Sequence, residues 1–475
     1  MSDRTDAVVV GSGPNGLAAA IELAQAGLSV TVFEAASTVG GGARSAELTV
    51  PGVLHDICSA AHPFAMASPF FASLPLADHG LEWCRPEIDL VHPLDGGDAV
   101  AMHRSLDTTV DGLGREDGKR WRRRFGPSAR HLDDLAPEFL GPLLHVPRHP
   151  VLLARFGMSA MQPATWVARS LGSTRTQALF AGSAAHVFRP LDTIASASVG
   201  VAMVAVCHRH GWPVARGGSQ AITDALVSCL ESLGGRVVTD HRVTSFAEVD
   251  DARVRLFDVA PSALAELAGD RLPARVRRAY RRFRHGPAAF KVDLTVRDGI
   301  PWAAEAARSA GTLHLGGTLE QIATAEAEVA AGRMPERPFM LVGQQYLADP
   351  SRSAGDLHPI WAYAHVPHAY DGDATEAIIA QIERFAPGVR DRIVATVSHG
   401  PAQLAEMNPN FIGGDIGTGA NDLGQLLFRP RAALDPYATG IPGTALCSAA
   451  TPPGAGVHGM CGQHAARSAL RTMRR

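Results

Sequence analysis

The chain has 475 residues, 46% hydrophobic and 19% charged, with a formal net charge of −3. That length exceeds one simple core and implies two interwoven domains of an ordered globular protein. The near-neutral charge leaves no electrostatic footprint for nucleic acid. The six cysteines (Cys58, Cys84, Cys207, Cys229, Cys447 and Cys461) contain no C-x-x-C pair. That spacing excludes zinc-ligand and redox-disulfide patterns and points to free thiols in a reducing cytosol; no metal site is expected.

Ala7 to Val10 is an apolar run of strand length. The few residues before it leave no room for a targeting peptide, so a cytoplasmic protein is expected. Gly11, Gly13 and Gly16 follow in G-x-G-x-x-G spacing, then a helix-favouring run from Leu17 to Ala26 that stops at Gly27, then a second β-rich run from Leu28 to Glu34. A strand, glycine turn, helix and strand in this order form a dinucleotide cradle. Gly11, Ser12, Gly13, Pro14, Asn15 and Gly16 would lie under a pyrophosphate at the helix N-terminus. Glu34, with Ala35 beside it, stands where a carboxylate accepts the ribose hydroxyls and repels a 2′-phosphate. A second glycine cluster follows: Gly40, Gly41, Gly42, Ala43 and Arg44. A plain NAD site does not need it; a flavin extending past the pyrophosphate does, together with a cation such as Arg44.

Further along, His55, Asp56 and His62 cluster, and His62 is a candidate for the wall of a substrate cavity. Gly112 to Arg130 is strongly basic but flanked by acids. An anionic membrane surface and a solvated helix face both account for it, the second more simply. The apolar stretch from Phe139 to Met158 is broken by Pro142, Pro147 and Pro150, and reads either as a lid or membrane-dipping edge or as core helices. Ile194 to Cys207 is too short to span a bilayer and reads as a buried helix. Ser219 is placed to cap the helix that follows it, and Arg236 to Val243 returns as strand. Arg271 to Arg284 is a second basic helix. In FKVDLTVRDGIPW, Phe290, Val292 and Leu294 alternate with Lys291, Asp293 and Thr295, the period of a half-buried strand. Lys291 is one of only two lysines in the chain. The runs HLGG, PFMLVGQQYL and PIWAYAHVP read as strands, with Trp361, Tyr363 and Phe411 as candidate cavity walls. Thr444 to Ser448 is a last strand, followed by a Pro- and Gly-rich loop and a helix opening at Val457, His458, Gly459 and Met460.

Taken together, the N-terminal signature, the R-G-G-S segment, FKVDLTVRDGIPW, the N-P-N loop and CSAATPPGAGVHGMCG resemble the phytoene desaturase-related flavoproteins, in the branch called pyridine nucleotide-disulfide oxidoreductase domain-containing protein. The resemblance implies an α/β fold in which a glutathione-reductase-like Rossmann FAD-binding domain (1–65, 205–262 and 435–475) is interleaved with an α+β substrate domain (66–204 and 263–434). It implies non-covalent FAD bound also by Val243, Ser448, Gly456, Val457, His458, Gly459 and Met460, and a catalytic role for Lys291 in holding a water at the flavin edge. It further implies an apolar small-molecule substrate near His62, Trp361 and Tyr363, and an electron acceptor such as oxygen or a quinone. A dehydrogenase is the first reading. A redox-neutral isomerase, an amine oxidase and a non-catalytic flavin-stabilised protein are the alternatives.

Overall fold

In the computed structural model, which describes residues 5–473, strand β1 (Ala7–Val10) leads into helix α1 (Pro14–Gln25) and strand β2 (Val30–Phe33). The helix starts before the expected Leu17, because Pro14 at its first position needs no hydrogen-bonded N–H. The longer strands that follow are β3 (Ile88–Pro93), β4 (Ala99–Met102), β5 (Arg236–Val238), β6 (Val254–Phe257), β7 (Ala288–Arg297), β8 (Ala310–Leu315), β9 (Met340–Gly343), β10 (Leu357–Val366), β11 (Ile393–His399) and β12 (Thr444–Leu446). Among the helices, α2 (Ser198–His210), α3 (Gln220–Ser232) and α4 (Met460–Met473) shape the site.

Strands from the start, middle and end of the chain form a five-stranded parallel sheet in the order β12-β6-β1-β2-β5. The order reverses at β1, so a crevice opens beyond its C-terminal end, at Gly11. Helix α4 lies against α1 so closely that a Cβ on Gly462 would stand 1.8 Å from the Asn15 carbonyl oxygen. A second, seven-stranded sheet runs β11-β7-β10-β9-β8-β3-β4, antiparallel except where β8 meets β3.

Several local expectations need correction. Strand β7 is buried on both faces rather than half-buried: Phe290, Val292 and Leu294 fill one core, and Lys291, Asp293 and Thr295 are enclosed on the other face. The alternation survives, but its polar half is satisfied by other protein groups instead of water. Strand β5 ends at Val238, not Val243. Beyond it Asp240 turns left-handed (φ 53°), and the Asp240 and His241 amides bond Ala36 O and Glu34 O. Helix α2 begins at Ser198 rather than Ile194, and α4 at Met460 rather than Val457. Ser219 does not cap α3; its hydroxyl donates to Ser59 O and meets His62 Nε2 instead. The basic 112–130 stretch becomes the end of one helix (Leu106–Leu113) and the whole of the next (Arg115–Arg130), which buries Trp121 and Phe125 while most of its basic side chains face outward. No helix among the described residues is long and apolar enough to cross a membrane.

Candidate active site

The crevice beyond β1 is a groove of about 740 Å³. Gly11, Ser12, Gly13, Pro14 and Asn15 form its base, and Glu34 and Ala35 one end. Gly41, Gly42, Ala43 and Arg44 form a second wall, and Val243, Ser448, Gly456 and Val457 complete it. Gly16 does not line the groove; it makes the turn possible, since a Cβ there would stand 2.0 Å from Gly11 O. Gly459 and Met460 also lie outside it, Gly459 packing on Phe70 and Ala18.

Glu34 is fixed at the end of β2. Its Oε2 accepts from Ser12 N (2.9 Å) and Ser12 Oγ (2.6 Å), and its Oε1 accepts from Ala36 N (2.8 Å). The stacked rings of Phe33 and His241, 4.4 Å apart, flank that end of the groove. Arg44 donates to Gly41 O (2.9 Å) and Met407 O (2.6 Å). Among the described residues no carboxylate pairs with it, so its charge remains available to an anion. Asn15 Oδ1, Thr418 Oγ1 and Ser448 Oγ are buried without partners along the same groove. Orphaned polar atoms of this kind, beside a helix N-terminus and a free cation, suit a long polar ligand with phosphates.

Sequence reading missed Asp258. It follows β6 directly, and an acid at the C-terminal end of a parallel strand beside a glycine turn was the signal available. Its Oδ2 accepts from Gly16 N at 2.9 Å, and a Cβ on Gly13 would stand 2.7 Å from that oxygen. Burial pushes the carboxyl up to about 7, with the Gly16 N–H pulling it partly back. The folded value thus lies above the unfolded one, so the group stabilises the fold fully below about pH 3.8 and loses that contribution as pH rises through about 7. Asp258→Asn is expected to flatten the pH dependence of unfolding free energy across this window, checked by urea titration at stepped pH. Asn408 and Asn410 were also missed. Asn410 accepts from Ala260 N (2.8 Å) and donates to Asp258 O (3.1 Å), docking the N-P-N loop onto the groove.

A second cavity, of about 470 Å³ and mostly apolar walls, adjoins the groove. Cys58, Ser59, Ile416, Ala455, Gly456 and Val457 line both. Its floor is the second sheet, where register sets Thr312, Gly343 and Trp361 in one row and His314, Leu341 and Tyr363 in the next. Trp361 donates from Nε1 to Cys58 O at 3.0 Å. His62, Trp361 and Tyr363 all line this cavity, as does His458, which sequence reading assigned to the cofactor. Phe411 lines the groove instead. Burial pushes the His62 imidazole down to about 4, so it is neutral at physiological pH. Among the described residues no lysine or arginine lines the cavity, and the Asp415 carboxylate accepts from the amides of Gly286, Gly417 and Gly419.

Lys291 lines neither space. Its ammonium is buried and paired with Asp293, beside which stand His55 (3.4 Å) and His399 (3.8 Å). It lies near the shared wall: burial raises the Cys58 thiol to about 11, with Lys291 and Arg44 pulling it the other way. Asp56 joins a different network, accepting from Ser45 Oγ, Ser219 N and the buried Arg352.

Residues 9–72 match the NAD(P)-binding Rossmann-like domain family. Over 99% of this chain and 94% of the relative, the sequence is 24% identical to pyridine nucleotide-disulfide oxidoreductase domain-containing protein 2 of Rattus norvegicus. Among solved structures, an oxidoreductase from Methanosarcina mazei superposes with a TM-score of 0.64 at 16% identity, covering 98% of this chain and 99% of that one. Putrescine oxidase superposes at 0.62 with 18% identity, covering 99% of both chains. The chain therefore shares the fold of these two proteins, the dinucleotide-binding sheet together with its sheet-rich companion. Over its whole length the chain is similar to pyridine nucleotide-disulfide oxidoreductase domain-containing protein 2, the branch that its own motifs resemble.

Proposed function

We propose that this protein is an FAD-dependent dehydrogenase that takes a hydride from a carbon of a largely apolar substrate. One observation carries the reading: the dinucleotide groove and the apolar cavity share a wall at Cys58, Ser59 and the 455–457 segment. In this reading Glu34 holds the adenosine ribose, the N-terminus of α1 and Arg44 hold the phosphates, and Gly456 and Val457 border the ring end. When bound, FAD supplies a two-electron acceptor for the hydride. The residues of the cavity do the rest. Its apolar walls exclude water and seat the substrate, and its neutral histidines place no charge against it. Lys291, held by Asp293 behind the shared wall, is the proposed donor for a water at the junction, where negative charge would develop. The proposed division is a cofactor domain from 1–65, 205–262 and 435–475 and a substrate domain from 66–204 and 263–434. Oxygen or a quinone is the proposed final acceptor. The amine oxidase alternative gains no support from the cavity, because its one lining carboxylate, Asp415, is already met by backbone N–H groups.

The test is anaerobic. Purified protein is expected to bind FAD, and lipid extract of the producing cells to bleach its absorbance while a more unsaturated product appears. Failure to take up FAD on titration would overturn the reading, and a rearranged product formed only after pre-reduction would turn it into an isomerase. Lys291→Met is expected to keep the flavin bound while slowing its reduction or reoxidation by at least tenfold (about 1.4 kcal/mol of barrier) in stopped-flow absorbance. Unchanged rates of both would remove the role given to Lys291.

A further inference from the structure

One corner of the apolar cavity is not apolar. Thr312 stands opposite Gly343 in the β8–β9 pair, and the Gln345 amide folds over Gly343 so closely that a Cβ there would lie 2.2 Å from its Nε2. On the same face of β8 as Thr312, His314 meets His186 through their Nε2 atoms at 2.9 Å. The Trp212 ring stands edge-on to His186 at 5.8 Å and 5.5 Å from His314. Thr312, Gln345, His186 and Trp212 all line the cavity.

Their polar atoms are unspent. Among the described residues, Thr312 Oγ1, the Gln345 side-chain amide and His186 Nδ1 have no hydrogen-bond partner, and the Trp212 indole N–H is buried without an acceptor. Leaving a buried donor unmet costs about 1–3 kcal/mol. Three further groups without partners stand around the Trp212 N–H on the wall of an otherwise greasy cavity, and together they make a site that is completed by a ligand. That ligand is uncharged: among the described residues no lysine or arginine lines the cavity, and Asp415 is saturated. Burial also pushes His186 down to about 3, so it offers no cation. An ionised head group would go unpaired there, at a cost of several kcal/mol. Of the unmet groups on the cavity wall, the Gln345 amide NH₂ and the Thr312 hydroxyl donate and suit an acceptor oxygen, while the Trp212 N–H is itself enclosed.

We infer that this corner binds the neutral carbonyl oxygen of a substrate whose remainder is apolar. The inference rests on the reading of the cavity as the substrate site. Strand β8 lies two strands from β10, roughly 10 Å, so the carbonyl is held away from Trp361, whose indole bonds the shared wall at Cys58 O, while the apolar body reaches toward it.

The test is a matched series: a medium-chain methyl ketone and the alkane, alcohol and fatty acid of the same chain length, titrated onto the purified holoprotein by displacement of Nile red, with flavin content read on the same sample. The ketone is expected to bind about tenfold more tightly than the alkane, the worth of one or two hydrogen bonds, and more tightly than the alcohol and the ionised fatty acid. Gln345→Met combined with Thr312→Val is expected to bring the ketone down to the alkane. Gln345→Met alone, a milder change, is expected to move the ketone in the same direction if the double variant fails to fold. Equal affinity for ketone and alkane, a preference for the alcohol or fatty acid, or a ketone preference untouched by these substitutions would overturn the inference. Ketone preference in a protein that takes up no flavin would support the corner and sink the oxidoreductase reading; flavin uptake without ketone preference would do the reverse.

Discussion

Replacing Gly16 with alanine is expected to abolish dinucleotide binding and to lower stability by about 3 kcal/mol, the upper range for overpacking a rigid site. A Cβ at this position would stand 2.0 Å from Gly11 O and 3.1 Å from Asp258 Oδ2. The first neighbour is backbone in the tight turn and cannot swing aside. Helix α1 would have to move off β1, taking its N-terminal amides out of the groove, and the Gly16 N–H to Asp258 bond would break. Gly27 is the control. It lies just beyond the other end of α1 and, unlike Gly16, has positive φ (86°), but nothing stands within 4 Å of its missing Cβ. Gly27→Ala is therefore expected to cost only the backbone strain, about 1 kcal/mol, and to retain flavin. Urea unfolding with flavin content on both variants checks the pair. Equal losses would mean that backbone conformation, not close approach, explains the glycine spacing.

Arg352→Ala is expected to cost about 3–5 kcal/mol, because it leaves the buried Asp56 carboxylate without its cation and Asp349 with only Arg216 at 3.9 Å. The guanidinium is 1% exposed and bonds Asp56, Asp349 and Ala215 O. Burial pushes the Asp56 carboxyl up, but Arg352 and the donors from Ser219 and Ser45 outweigh it and leave it below its usual value. A depressed carboxylate contributes stability above its unfolded value of 3.8 that is lost as pH falls below it, and the variant is expected to lose that acid sensitivity. The same carboxylates also order the R-G-G-S segment: Asp349 accepts from Gly217 N and Asp56 from Ser219 N, each at 2.7 Å. Ser219 in turn holds His62 in the cavity wall. Loss of Arg352 should therefore loosen substrate and flavin binding as well as stability. Arg297→Ala, which breaks an exposed pair with Asp356, is expected to cost under about 1 kcal/mol. A similar cost for both variants in denaturant titration would show that burial adds nothing at Arg352.

The sequence by itself determined the nucleotide half of this protein. Gly11, Gly13, Gly16 and Glu34 are legible because their chemistry is local: a turn, a helix start and a strand end within one short stretch dictate where a phosphate and a ribose could lie. Strands β9 and β10 were legible for the same reason, each carrying its own apolar run, whereas the HLGG reading caught only the last two residues of β8. Tertiary structure decided the rest. Asp258 reaches Gly16 from far along the chain, because β6 happens to be the neighbour of β1. Lys291 follows the period of an exposed strand residue, yet the position of β7 between β10 and β11 buries it against Asp293. His458 follows a helix-opening motif, but the later start of α4 turns it into the apolar cavity. The polar corner is the clearest case. Thr312, Gln345, His186 and Trp212 share no spacing in sequence, and only strand register and the packing of helices over the second sheet bring their unmet groups together. Local pattern encodes which element forms; which polar groups meet across elements, and what they leave unsatisfied, is set by packing alone.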